Sequence, residues 1–232
     1  MGRDVIIACD FASKEACLSF LDKFTGRKPF VKIGMELFYA EGPDIVREIK
    51  ARGHKIFLDL KLHDIPNTVM KAMASLSALD VDMCNLHAAG ARAMMEAALK
   101  GLTRPDGTRP LLIAVTQLTS TDDTALREEL YIEKPMKDVV LGYARNARDA
   151  GLDGVVCSPL EAGTVKEGCG EGFFTVTPGV RFADGDVGDQ KRIATPARAK
   201  ELGSDYIVVG RPITQAEDPV AAYERCVAEF VD

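Results

Sequence analysis

Residues 55–79 read KIFLDLKLHDIPNTVMKAMASLSAL. After Lys55, residues 56–60 form a near-continuous apolar run broken only by Asp59, the pattern of a strand buried on both faces of a parallel sheet. Asn67–Leu79 then reads as a helix, so the stretch is one strand-to-helix unit with its polar residues gathered at the junction. The same unit recurs along the chain. Strands are expected at Val5–Cys9, Phe30–Ile33, Lys55–Leu60, Met83–Leu86, Leu111–Val115, Gly154–Cys157, Phe174–Val176 and Tyr206–Val209. Helices are expected at Lys14–Phe24, Asp44–Arg52, Asn67–Leu79, Ala91–Leu99, Met136–Ala150, Pro196–Leu202 and Pro219–Phe230, with a weaker one at Ser158–Lys166. Ser13 caps the first, Pro43 opens the second, and Gly53, Gly151 and Gly203 stand just past helix ends. The longest gap follows the fifth strand, where STDDTALREELYIEK (120–134) reads as an insertion.

Strict alternation of strand and helix implies βα units throughout. Right-handed crossovers leave a closed barrel or an open doubly wound sheet. Eight units without a dinucleotide fingerprint favour an α/β fold of the (β/α)₈ TIM-barrel kind, one domain over residues 1–232, a length typical of that fold. With 47% hydrophobic and 28% charged residues the composition is that of an ordinary globular protein. A formal net charge of −6 argues against a nucleic-acid partner. No apolar stretch is long enough to span a membrane. The opening MGRDVIIACDF runs into a strand rather than a signal peptide, which suggests a cytoplasmic protein. Six cysteines without a C-x-x-C pair read as buried thiols of a reducing compartment, and His54, His63 and His87 have no zinc spacing with them. His87 reads as a core or supporting residue, and the direction of His63 is open.

In such a barrel the chemistry sits at the C-terminal ends of the strands. Asp10 follows strand 1, Lys32 lies in strand 2, Asp59, Lys61 and Asp64 close strand 3, and Thr116, Gln117 and Thr119 follow strand 5. Asp59 and Lys61 are two apart and face one side of a strand, with Leu58 and Leu60 on the other. A lone D-x-K is more often a structural ion pair at a loop than a functional site. Asp64, Asp10 and Lys32 at the same mouth make a functional array the stronger reading, because several charges desolvated together are stable only when paired. Flanking carboxylates keep Lys61 an ammonium, hence a cation and proton donor rather than a Schiff-base nucleophile. TPGVRF (177–182) and VVGRPI (208–213) follow strands 7 and 8, the usual phosphate position, with Gly179, Gly210 and Arg211 as its donors. RFADGDVGDQ (181–190) suits a lid over that phosphate, with Gln190 as an amide donor.

DFAS (10–13), FVKIGMELF (30–38), FLDLKLHDIPNTV (57–69), HAAG (87–90), VTQLTS (115–120), TPGVR (177–181), DQKRIATP (189–196) and VVGRPIT (208–214) together resemble the orotidine 5′-phosphate decarboxylase family. The blocks run in family order over nearly the whole chain. The resemblance implies a homodimeric (β/α)₈ barrel that converts orotidine 5′-phosphate to UMP and CO₂ without a cofactor or metal, the last step of de novo UMP biosynthesis. It implies Lys61 as proton donor to C6, and Asp59 and Lys32 in a charged array with Asp64. Asp64, Ile65 and Thr68 would come from the partner subunit. Asp10 and Lys32 would hold the ribose, Thr119 the pyrimidine, and Gln190, Arg211 and the Gly210 backbone the phosphate, with Arg181 nearby. Two other readings stay open: a metal-dependent phosphosugar decarboxylase or aldolase of the same wider group, although Lys32 stands where those enzymes carry an acidic ligand, and a non-catalytic phosphate-ligand sensor.

Overall fold

A computed structural model describes residues 2–183 and 194–232. Eight parallel strands close into a barrel in sequence order: β1 (Asp4–Ala8), β2 (Phe30–Gly34), β3 (Ile56–Leu62), β4 (Met83–His87), β5 (Leu111–Val115), β6 (Gly154–Val156), β7 (Phe174–Thr177) and β8 (Tyr206–Val209), with β8 back against β1. Closure removes every sheet edge, and the alternating helices cover the outside. The closed-barrel expectation is met.

Period-two alternation splits the apolar residues into two cores. Ile6, Phe30, Phe57, Met83, Ile113, Val176 and Val208 fill the barrel interior. Their neighbours, including Ile7, Val31, Leu58, Cys84, Leu112, Val155 and Ile207, face the helices in the larger core. One step further along the inward face of β2, β3 and β4, Phe30 gives way to Lys32, Phe57 to Asp59 and Met83 to Asn85. The barrel is thus dry through its middle and polar at its C-terminal end.

Leu111–Val115, Tyr206–Val209 and Pro219–Phe230 have the expected bounds, and the ends of the other expected elements differ from the sequence reading by at most three residues. Among the described residues, three short α-helices, Met35–Glu41, Asp123–Glu128 and Arg211–Thr214, and the 3₁₀ turn Ala88–Gly90 were not anticipated. The second lies in the stretch read as an insertion, where Asp122 caps the turn by accepting from the Ala125 N–H. The weak helix at Ser158–Lys166 is a 3₁₀ turn, Pro159–Glu161, running into Ala162–Cys169, and Ser158 and Glu161 form a reciprocal cap. The cysteines are free thiols, all buried but Cys169.

Candidate active site

β3 carries the centre of the site. Its register against β4 runs Phe57–Met83 and Leu58–Cys84, then resumes at Leu62–Leu86, so extra β3 residues bulge out of the ladder between Leu58 and Leu62. Within the bulge Lys61 has φ +52°, a left-handed conformation that a lysine rarely adopts. Asp59 and Lys61 do face each other, as expected, but through this bulge rather than through plain alternation.

The charges form an alternating chain across the mouth. Lys61 Nζ donates to Asp59 Oδ1 at 2.7 Å, Lys32 Nζ lies 3.4 Å from Asp59 Oδ2, and the same Nζ donates to Asp10 Oδ1 at 3.0 Å. Asp59 is 7% exposed. Burial alone would push its carboxyl up, but Lys32 and Lys61, with hydrogen bonds from Lys61 and Asn85, hold it below the ordinary 3.8. Burial likewise disfavours the Lys32 ammonium, and Asp59 and Asp10 more than offset this, leaving its pKa above 10.5. Asp59 and Lys32 are therefore both ionised at neutral pH. Gly34 makes room for the array: a Cβ there would stand 3.0 Å from Lys32 Nζ and 3.1 Å from Asp10 Oδ1.

Lys32, Asp59 and Lys61 line a cavity of about 260 Å³. Its apolar wall includes Phe57, Val115, Val156 and Val208, and Gln117, Thr119 and Ser120 close the β5 side. Such a pocket sets fixed charges against a low-dielectric wall, which strengthens their action on a bound group. Pro178 and Val208 also line it, so Gly179, at φ +82°, comes directly after one cavity residue, and Gly210 and Arg211 come two and three residues after the other. Arg211 is exposed, whereas Arg181 is buried, with Nη1 donating to the Val180 carbonyl. Gln190 and most of the expected lid lie outside the described residues. Asp64, Ile65 and Thr68 are exposed beside the mouth, and the Asp64 carboxylate accepts from the Ile65 N–H at 2.6 Å. Asp64 is thus the one acid of the expected array that has no place in the Asp10–Lys32–Asp59–Lys61 chain.

Sequence reasoning missed Gly34 and Asn85. Asn85 is 1% exposed on the inward face of β4, and its amide bonds Asp59 and the Lys61 backbone. An Asn inside the buried run MCNLH was a usable signal, because a buried amide needs partners. The rings of His63 and His87 meet in a tilted pair, with centroids 5.8 Å apart. Burial first, then His63 and Lys61, lower the His87 pKa, so its ring is neutral at pH 7. Among the described residues, no group of three or more His, Cys, Asp and Glu side chains is placed to hold a metal ion. Nor is any described helix long and apolar enough to cross a membrane.

Residues 3–226 match the model of the orotidine 5′-phosphate decarboxylase / HUMPS family. This chain belongs to that family. Orotidine 5′-phosphate decarboxylases of Bacillus cereus strain Q1 and Bacillus cytotoxicus are each 57% identical to it over 227 residues, 97% of this chain and 95% of theirs. The crystal structure of orotidine 5′-phosphate decarboxylase from Lactobacillus acidophilus superposes with a TM-score of 0.89 at 45% identity, covering 99% of this chain and 100% of that one. An uncharacterized conserved protein from Geobacillus kaustophilus superposes with a TM-score of 0.87 at 50% identity, over 97% of this chain and 99% of that one. This member of the family therefore keeps the full barrel, and the charged mouth lies within the matched span.

Proposed function

We propose that this chain decarboxylates orotidine 5′-phosphate to UMP, closing de novo UMP synthesis, with the Lys61 ammonium stabilising and then protonating the carbanion at C6. The observation that carries the reading is the alternating chain Asp10–Lys32–Asp59–Lys61 at the mouth of an apolar-walled cavity.

The chemistry explains why such an array is needed. The bond from C6 to the carboxylate breaks, CO₂ leaves, and the electron pair stays on C6 in an sp² orbital orthogonal to the ring π system. Resonance cannot spread that charge. A fixed cation must already stand where it develops, and the same group must deliver a proton. Lys61 gives the proton to C6 and regains one from solvent. Asp59 holds Lys61 in position, and Lys32 keeps Asp59 ionised. Asp10 and Lys32 bind the ribose and Thr119 the pyrimidine. Arg211, the Gly210 backbone and Gln190 take the phosphate, with Arg181 near the phosphate. That remote grip supplies binding energy that orders the reacting end.

Asp64, Ile65 and Thr68 act across a homodimer interface in this reading. Their exposure supports it, as do the exposed apolar residues Met35, Ile65 and Leu118 just past the ends of β2, β3 and β5, with Ile65 66% exposed. The enzyme works in the cytoplasm on a small-molecule substrate.

Following orotidine 5′-phosphate by absorbance, with and without EDTA, tests the proposal. Turnover unchanged by the chelator is expected. Activity abolished by EDTA and restored by Mg²⁺ would point to the metal-dependent phosphosugar enzymes instead, and tight binding without turnover to a sensor.

A further inference from the structure

We infer that Asn85 is a positioning residue for the reaction: its side-chain amide clamps the β3 bulge and so fixes Lys61 against Asp59. The inference deepens the proposed function and rests on Lys61 being the reacting group.

A bulge strips backbone groups of their ladder partners, and in a buried strand an orphaned N–H is costly. Here the ladder is interrupted between Leu58 and Leu62, and the Lys61 N–H donates at 2.8 Å to Asn85 Oδ1 in place of a β4 carbonyl. The other end of the same amide, Nδ2, donates at 2.7 Å to Asp59 Oδ1, the oxygen that also receives Lys61 Nζ. The amide has only one possible orientation, since a backbone N–H can only donate and a carboxylate can only accept. One planar group thus holds both the backbone of the reacting lysine and the carboxylate that aims its ammonium. Asp at position 85 keeps the acceptor and loses the donor. Leu loses both, and Gln carries the amide one methylene too far.

The clamp also accounts for the left-handed Lys61. Held at φ +52°, the residue is strained, and such strain persists only where surrounding contacts over-determine it. Without the Asn85 acceptor the segment is free to relax toward extended backbone, which swings Nζ away from Asp59.

The test uses wild type, Asn85→Ala and Asn85→Asp, each assayed with orotidine 5′-phosphate and each solved by crystallography. In Asn85→Ala, kcat should fall about 100-fold, the scale of a misplacement near 1 Å, with KM held within about threefold. In that crystal structure residue 61 should leave the left-handed region or its Nζ should part from Asp59. Asn85→Asp should lose at least as much kcat, because a second carboxylate repels Asp59 while the Lys61 N–H contact survives. This second variant carries the test should Asn85→Ala fail to fold. An unmoved Lys61 and an intact contact to Asp59 in the variants would overturn the clamp, as would kcat and KM changing by the same factor. A wild-type protein that turns over nothing defeats the functional proposal alone, and the crystal structures then decide the clamp without it.

Discussion

Lys61 Nζ lies 2.7 Å from Asp59 Oδ1, two residues earlier on the same strand, and Lys61 makes this contact from a left-handed backbone. A regular strand would bring the two side chains to one face, but here the bulge sets their meeting point. The cation is therefore held by local backbone geometry as well as by charge. Lys61→Ala should lower kcat by at least about 10³-fold, since it removes both the fixed cation and the proton source. Binding of UMP, measured by calorimetry, should persist. Near-normal turnover would remove the lysine from its assigned role.

Asp59 ties acid stability to the site. Its folded carboxyl titrates below the ordinary 3.8, so the stabilisation it contributes is present above that value and disappears as pH falls through the folded one. Lys32 works in the opposite sense, losing its contribution only as pH rises past 10.5. Asp59→Ala leaves two half-buried ammonium groups short of a partner and should cost about 1–3 kcal/mol at pH 7. Urea unfolding should show the gap between wild type and variant closing below pH 3.8. A gap that stays constant into acid would mean the loss is one of packing.

Gly34 is where the ion pair meets the backbone. A methyl there lies 3.0 Å from Lys32 Nζ and 3.1 Å from Asp10 Oδ1, closer than ordinary contact. Gly34→Ala should push Lys32 and Asp10 out of line, lowering kcat/KM by about tenfold or more through misplaced ribose contacts. Its melting temperature should change little, because both affected side chains reach solvent. Wild-type kcat/KM in this variant would show that the pair tolerates displacement.

Arg211→Ala should weaken binding of UMP by about 1.5–3 kcal/mol, the worth of hydrogen bonds to a charged group, and leave uridine almost unaffected. Competition binding with the two ligands reads the difference directly. Equal losses for both would make the arginine structural.

Shared sites predict complementation. Lys61→Ala and Asp64→Ala are each expected to be nearly inactive alone. Refolded together they should recover some activity, because one of the two sites in a mixed dimer takes both intact residues. Verified mixed dimers with no recovery would place Asp64 outside the partner's site.

The barrel was legible in the chain because its physics is local. Near-continuous apolar strands, capped helices and C-terminal glycines each follow from short-range steric and burial preferences, and their strict alternation leaves few topologies. Asp10, Lys32, Asp59 and Lys61 were legible for the same reason, since the end of a barrel strand is an address that a linear sequence can give. The short helix Asp123–Glu128 escaped because six residues carry too little periodicity, although its Asp122 cap was in plain sight.

What the sequence determined by itself was the closed barrel and which charged residues stand at its mouth, because those follow from residue type and period along one strand at a time. Only the tertiary structure decided how they meet: the bulge that turns Lys61 onto Asp59, the Asn85 amide that holds them from the neighbouring strand, and the space Gly34 leaves for Lys32 and Asp10. The bulge exists only in the register of β3 against β4, and Asn85 and Asp10 reach the site from other strands, so no period along a single strand encodes the arrangement.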